Sequence, residues 1–257
     1  MQKEEIKFKD SCIFEGMTSI RATLRGIDEG YNDRPIDKIL FDVDKLKKIG
    51  KDIGYLKAVS EKYGYQIVES NSGELDSLAL GTSHGGIIAF MGKRTLPCLS
   101  TDIALPERGF FAMIEGIEDP YNFGYSLRSL YAMGCDGIIL PERNWMSAAG
   151  VVARSSAGAS ERLPMYCSGS EDACIIFKKR GYSILCAEEK TDLILGQCEL
   201  ALPILLVVGG EKRGISKSVL ELADMKVKIG YSREFRASLS AASATTMFAY
   251  EIARQNK

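Results

Sequence analysis

The sequence predicts an α/β protein, a parallel sheet in the C-terminal half preceded by a small α/β domain. Three observations carry this. Phe110–Leu140, FFAMIEGIEDPYNFGYSLRSLYAMGCDGIIL, reads strand, loop, helix, strand, which is one βαβ crossover. The apolar runs that follow, Ser183–Ala187 and Ile204–Val208, are near-continuous without alternation, the pattern of strands buried on both faces. Before Lys93, helix and strand patterns alternate on a smaller scale.

In order, residues 1 to 16 form a weakly structured lead-in. Met17–Ile27 reads as a helix, with Ile20, Leu24 and Ile27 on one face and Arg21 and Arg25 on the other. Arg34-Pro35 marks a turn, and Ile36–Val43 contains a strand. Asp44–Tyr63 is mostly helical, Tyr65–Glu69 a strand, Ser72–Leu80 a short helix and Gly86–Met91 a strand. The stretch Lys93–Arg108 has two prolines and no periodicity, so it carries the linker. The expected division is therefore a small α/β domain over 1–97, a linker over 98–108 and a larger domain over 109–257.

In the larger domain, Leu127, Leu130 and Tyr131 recur at helix spacing and Gly134 stops the helix. Trp145–Ala159 is rich in Ala, Ser and Gly and reads as a helix packed closely against something. Leu163–Tyr166, Ser183–Ala187, Ile204–Val208 and Lys226–Ile229 read as strands. Ser170–Lys179, Ser216–Ala223 and a final Ser238–Arg254 read as helices.

Composition narrows the function. Hydrophobic residues make up 46% and charged residues 26%, ordinary for a globular protein. The net charge of −1 argues against a non-specific polyanion binder, so any nucleic acid must meet a local patch. Seven scattered cysteines without a CxxC pair read as reduced thiols. One histidine, His84, leaves no His-rich metal site, and no metal is expected. No export signal or long apolar span is present, which points to the cytoplasm and away from a membrane.

Three strand-to-helix loops carry candidate chemistry. The first holds Asn122, Gly124 and Arg128. Asn122 stands where the loop enters the helix, free to cap or bind, and Arg128 lies one turn beyond Gly124. The second is Gly209-Gly210-Glu211-Lys212-Arg213-Gly214, whose glycines let backbone amides meet a ligand. It matches neither GxGxxG nor GxxxxGK[ST], which weakens a dinucleotide or nucleotide-triphosphate reading. The third, Ile229–Leu239, enters the last helix through Ser238-Leu239-Ser240. Each loop alone is equally compatible with plain capping or a solvated charge run.

Taken together and in this order, the loops resemble the three motifs of the SpoU/TrmH family of RNA ribose 2′-O-methyltransferases, within the SPOUT superfamily. EDPYNFGYSLRSLYAMGCDGIIL looks like the first, LLVVGGEKRGISKSVLELAD the second and SLSAASATTMFAYE the third. The resemblance spans about residues 110 to 257. The first half also looks like the family's small ribosomal-protein-like substrate domain, through ALGTSHGGIIAF. The resemblance implies a C-terminal trefoil knot, S-adenosylmethionine held by the second and third loops, and a homodimer. It implies functional roles for Asn122, Arg128, Glu211 and Ser238, with cofactor contacts around Gly209, Gly210, Gly214, Ile229 and Leu239. Its substrate is RNA, ribosomal or transfer. In the first domain Arg21, Arg25 and Arg34 are the expected RNA contacts. The chain departs from the family at Ser240, where the third motif usually has Asn. That departure favours the rival reading, a non-catalytic RNA-binding or ribosome-assembly protein on the same fold. Whether Arg128 serves as a base or stabilises a developing alkoxide stays open at this stage.

Overall fold

The computed structural model describes residues 13–81, 84–141, 148–210, 212–235 and 237–257. Glu211 and Trp145, both singled out above, lie outside the described residues, as does the lead-in before residue 13. The described chain forms two compact units, residues 13–95 with 148–162, and residues 96–141 with 163–257.

The first unit opens with β1 (Ile13–Glu15), α1 (Gly16–Asp28), β2 (Ile36–Asp42), a 3-10 turn at Val43–Lys45, α2 (Leu46–Tyr63), β3 (Gln66–Ser70), α3 (Ser72–Leu78) and β4 (Ile87–Met91). The chain then enters the second unit for β5 (Phe110–Glu115), α4 (Pro120–Ala132) and β6 (Gly137–Leu140). It goes back to the first for α5 (Ala149–Ser155) and α6 (Ala159–Arg162). The second unit is completed by β7 (Met165–Cys167), α7 (Ser170–Lys179), β8 (Ser183–Ala187), β9 (Ile204–Gly209), α8 (Lys217–Leu222), β10 (Met225–Val227) and α9 (Ala241–Gln255).

The first unit's sheet runs β1-β4-β2-β3, with β2 and β3 parallel and the other pairs antiparallel. Its core joins Phe14, Ile20, Leu24, Ile39 and Phe41 to Ile49, Ile53 and Leu56, the apolar stripe of α2. β1 forms where the sequence reads as lead-in because Phe14 is buried in that core. Gly64, at φ 72°, ends α2 in the left-handed conformation common at helix ends.

The small-residue stretch 149–162 finds its close partner in this unit. A Cβ on Gly150 would lie 1.9 Å from the Ile13 carbonyl oxygen, and one on Gly26 of α1 would lie 2.0 Å from that of Glu161. Helix and strand backbones therefore touch where only glycine fits. The chain passes between the units at residues 95–96, ahead of the linker expected at 98–108, and α5 and α6 belong with the first unit.

Buried charges fix that arrangement. Glu161 accepts hydrogen bonds from Asn32 Nδ2 (2.7 Å) and Arg34 Nε (3.0 Å), and Arg34 Nη1 donates to the Gly92 carbonyl (2.7 Å). Arg94 Nη1 donates to the Ser160 carbonyl (2.8 Å). Burial pushes the Glu161 carboxyl up, but the Arg34 and Arg94 charges and the hydrogen bonds from Arg34 and Asn32 outweigh it and hold it below its ordinary value. This corrects the reading of Arg34 as an RNA contact. At 4% exposure, with its guanidinium engaged by Glu161 and Gly92, it is an internal strut.

In the second unit all six strands are parallel, in the order β10-β8-β9-β5-β6-β7. The middle strands are almost wholly buried, as their unalternated runs require. One face carries a cluster of Phe111, Phe177 and Tyr182, with ring centroids 5.0–5.9 Å apart. Cys186 sits in the same core, where burial pushes its thiol up to about 12 and leaves it unreactive. β9 is inserted between β8 and β5, so the connections diverge at the β5–β9 junction, where open α/β sheets place ligands beyond the strand ends.

Candidate active site

The first loop follows β5. Gly116 has φ 76°, and Asp119, not Asn122, caps α4: its carboxylate accepts from the Tyr121 and Asn122 amides, with Pro120 at the first helical position. Asn122 therefore stands inside the first turn, not at the cap position. Arg128 is exposed at i+7 from Tyr121 and i+3 from Tyr125, which are also exposed.

The second loop follows β9 and folds onto itself. The Gly214 amide donates to the Gly210 carbonyl (3.0 Å), and the Gly210 amide donates to that of Glu115 (2.6 Å). A Cβ at Gly209 would lie 2.4 Å from the Gly214 carbonyl carbon, and one at Gly210 would lie 2.2 Å from the Gly116 carbonyl oxygen. Both glycines are thus required by backbone packing. Lys212 crosses to the first loop and pairs with Glu118 (2.6 Å). The Glu115 carboxylate accepts from the Ser216 amide (2.9 Å) and so ties the end of β5 to the start of α8.

The third loop runs from β10 to α9. Ser240 is the N-cap of α9, accepting from the Ser243 amide (3.2 Å). Ser238 and Leu239 precede the helix, and the Leu239 amide donates to the Tyr231 hydroxyl (3.3 Å).

These loops make two clefts. The first is walled by Gly209, Gly210 and Gly214 on one side and by Ile229, Ser238 and Leu239 on the other. Ile215, Val227 and Phe248 give it an apolar floor. The second lies between Gly116, Glu118, Asp119, Asn122 and Lys212. Seven of the expected site residues are thus gathered: Asn122 in the second cleft and Gly209, Gly210, Gly214, Ile229, Ser238 and Leu239 in the first. Arg128 lines neither of these two clefts.

Sequence reasoning missed Glu188 and Glu189, which follow β8 and line the glycine-walled cleft, and it missed Tyr231. The signal was the abrupt change from the apolar SILCA run to Glu-Glu-Lys, a strand end at the same sheet edge. Among the described residues no group of three or more His, Cys, Asp or Glu side chains could hold a metal ion, and no helix is long and apolar enough to cross a membrane.

Residues 109–250, which contain both clefts, match the SpoU rRNA Methylase family. The chain belongs to this family. Among SpoU relatives, a Staphylococcus saprophyticus protein assigned to the TrmH family of tRNA/rRNA methyltransferases is 31% identical over 226 residues, covering 86% of this chain and 88% of the relative. The 23S rRNA (guanosine-2′-O-)-methyltransferase RlmB of Shewanella oneidensis is 28% identical over 205 residues, covering 77% and 82%. The fold matches the crystal structure of the SpoU methyltransferase AviRb from Streptomyces viridochromogenes in complex with AdoMet. There the TM-score is 0.76 at 20% identity, over 97% of this chain and 96% of that one. The SpoU match begins at residue 109, so the first unit up to β4 lies outside it, and it ends inside α9.

Proposed function

We propose that this SpoU protein transfers a methyl group from S-adenosylmethionine to a ribose 2′-hydroxyl of structured RNA, ribosomal RNA before transfer RNA. One observation carries the reading: the second and third motif loops converge on one glycine-walled cleft at the carboxyl edge of a parallel sheet.

The cleft fits the donor on its own chemistry. Gly209, Gly210 and Gly214 line it without side chains, so a ligand meets backbone directly. Ile215, Val227 and Phe248 suit an adenine face, and Glu188 and Glu189 favour a cation. Bound there, S-adenosylmethionine supplies an electrophilic methyl group on a positive sulfur. The Gly209, Gly210, Gly214, Ile229 and Leu239 backbone holds and orients it. Asn122, in the adjoining cleft, positions the ribose, and Ser238 and Glu211 complete the reaction site.

Arg128 donates hydrogen bonds to the 2′-oxygen as its proton passes to water. A guanidinium, which holds its proton tightly, is a poor base but a good planar donor to a developing alkoxide. Its place beside Tyr121 and Tyr125 supports a homodimer in which it serves the partner's ribose. Those tyrosines, with Met247 and Tyr250 of α9, leave an exposed apolar surface on two helices that pack together. The C-terminal trefoil knot belongs to the same proposal. The insertion of β9 between β8 and β5 and the meeting of the last two loops support it. The first unit reads the RNA, with Arg21 and exposed Arg25 as phosphate contacts. Arg21 is half-exposed, paired with Asp52 (2.8 Å) and over the Tyr55 ring (4.5 Å). The reaction takes place in the cytoplasm.

The test is transfer of labelled methyl from S-adenosylmethionine to total RNA of cells lacking the protein, with the new 2′-O-methyl site mapped. Donor binding without methylation of any RNA would instead support the non-catalytic RNA-binding reading.

A further inference from the structure

At the rim of the donor cleft stands a pair of rings that the reaction leaves unused. Tyr231 lines the cleft, and its hydroxyl is fixed by the Leu239 amide. Phe235 meets the Tyr231 ring edge-on, centroids 5.8 Å apart and planes at 76°. It is 55% exposed, and no other large apolar side chain of the described residues is more open. Arg233, two residues earlier on the same loop, is also exposed.

A braced, open aromatic ring beside a guanidinium is what an unstacked nucleotide requires. The base gains a stacking face and its phosphate a counter-charge. Regular RNA helices keep bases paired and stacked, so a ribose delivered into a cleft leaves a base in need of a new stacking partner.

We propose that Phe235 is a stacking platform for an unpaired RNA base next to the methylated nucleotide, with Tyr231 as its edge-on support and Arg233 against the adjoining phosphate. This rests on the RNA reading above and adds to it a requirement for single-stranded or splayed substrate at this edge of the cleft. Stacking is worth about 1–3 kcal/mol per base, or roughly 5- to 150-fold in affinity.

The test compares full-length wild type with Phe235→Trp, Phe235→Tyr and Phe235→Leu. A single-stranded oligonucleotide carrying 2-aminopurine reports stacking by fluorescence quenching, without any methyl transfer. KM for total RNA reports the same contact during turnover. Wild type, Phe235→Trp and Phe235→Tyr should quench. Phe235→Leu, which keeps apolar bulk, should lose the quench and raise KM about 5- to 150-fold, with donor affinity and sedimentation unchanged. Equal quenching and KM for Phe235→Leu would overturn the platform while leaving the methyltransferase reading intact. A Phe235→Leu protein with altered sedimentation or donor affinity would also overturn it, making the ring an intersubunit or cleft support. Quenching by a wild type that methylates no RNA would uphold the platform and remove the enzymatic reading.

Discussion

Arg128 and Ser240 frame the chemistry at the scale of single residues. Arg128→Ala should lower kcat by more than tenfold, a barrier increase above about 1.4 kcal/mol, while S-adenosylmethionine still binds in a titration. Arg128→Lys should fail as well, because an ammonium cannot span two oxygens as a planar fork does. More than a tenth of wild-type activity in either variant would take Arg128 out of the reaction. Ser240 has a structural task in this chain, the cap of α9. Asn is an equally good N-cap, whereas loss of a cap costs about 0.5–2 kcal/mol. Ser240→Asn should therefore hold stability and rate, and Ser240→Ala should lower both in melting and turnover measurements. An unchanged Ser240→Ala protein would make position 240 passive. The sequence made the second and third loops readable because their glycines and serines answer to local backbone geometry. Asn122 was read as free to cap or to bind, and the cap falls to Asp119, since Asp119-Pro120 is itself a helix-start signature.

Loops and helices invite a different kind of test. Gly210→Ala would drive a methyl group into the Gly116 carbonyl, a backbone atom that cannot swing aside. Donor affinity should drop at least tenfold with the far-ultraviolet circular dichroism preserved, and full affinity would show that the loop yields. At α6, Glu161→Gln should destabilise the first unit by about 3–5 kcal/mol, the cost of leaving a buried cation without its counter-charge. Because the folded carboxyl is held below its ordinary value, its contribution is present above the unfolded value of about 4.3. It is lost as pH falls below that value and through the folded one. Urea titrations at a series of pH values should show a flatter acid limb for Glu161→Gln than for wild type. Arg34 was misread for a related reason. Beside Arg21 and Arg25 it resembles another surface cation, and its partner lies at position 161, a separation that no local pattern encodes.

For the molecule as a whole, the strands were legible because a doubly buried parallel sheet leaves continuous apolar runs, and the helices because one face repeats. The allegiance of α5 and α6 was not, since small residues announce close packing without naming the partner. That allegiance changes how the methyl-donor unit can be isolated. A fragment of residues 99–257 would carry Val151, Val152 and Ala153 without the unit that buries them, and it should aggregate in size-exclusion chromatography. Replacing 142–162 by a flexible linker of about a dozen residues, the least a parallel crossover needs, should give a soluble fragment. It should bind S-adenosylmethionine and methylate RNA poorly at low RNA concentration. Full activity there would mean that the first unit does not read the substrate.

The return of the chain to its first unit also sets a timetable for synthesis. Residues up to Thr95 emerge first, but the Glu161 carboxylate that faces Arg34 and Arg94 arrives 66 residues after Thr95 (161 − 95). At about 5–20 residues per second the nascent unit waits roughly 3–13 s without the Glu161 carboxylate and with the seats for Gly150 and Glu161 empty. Over that interval β5, α4 and β6 are already made, and a chain stalled before residue 148 should remain open to protease in residues 13–95.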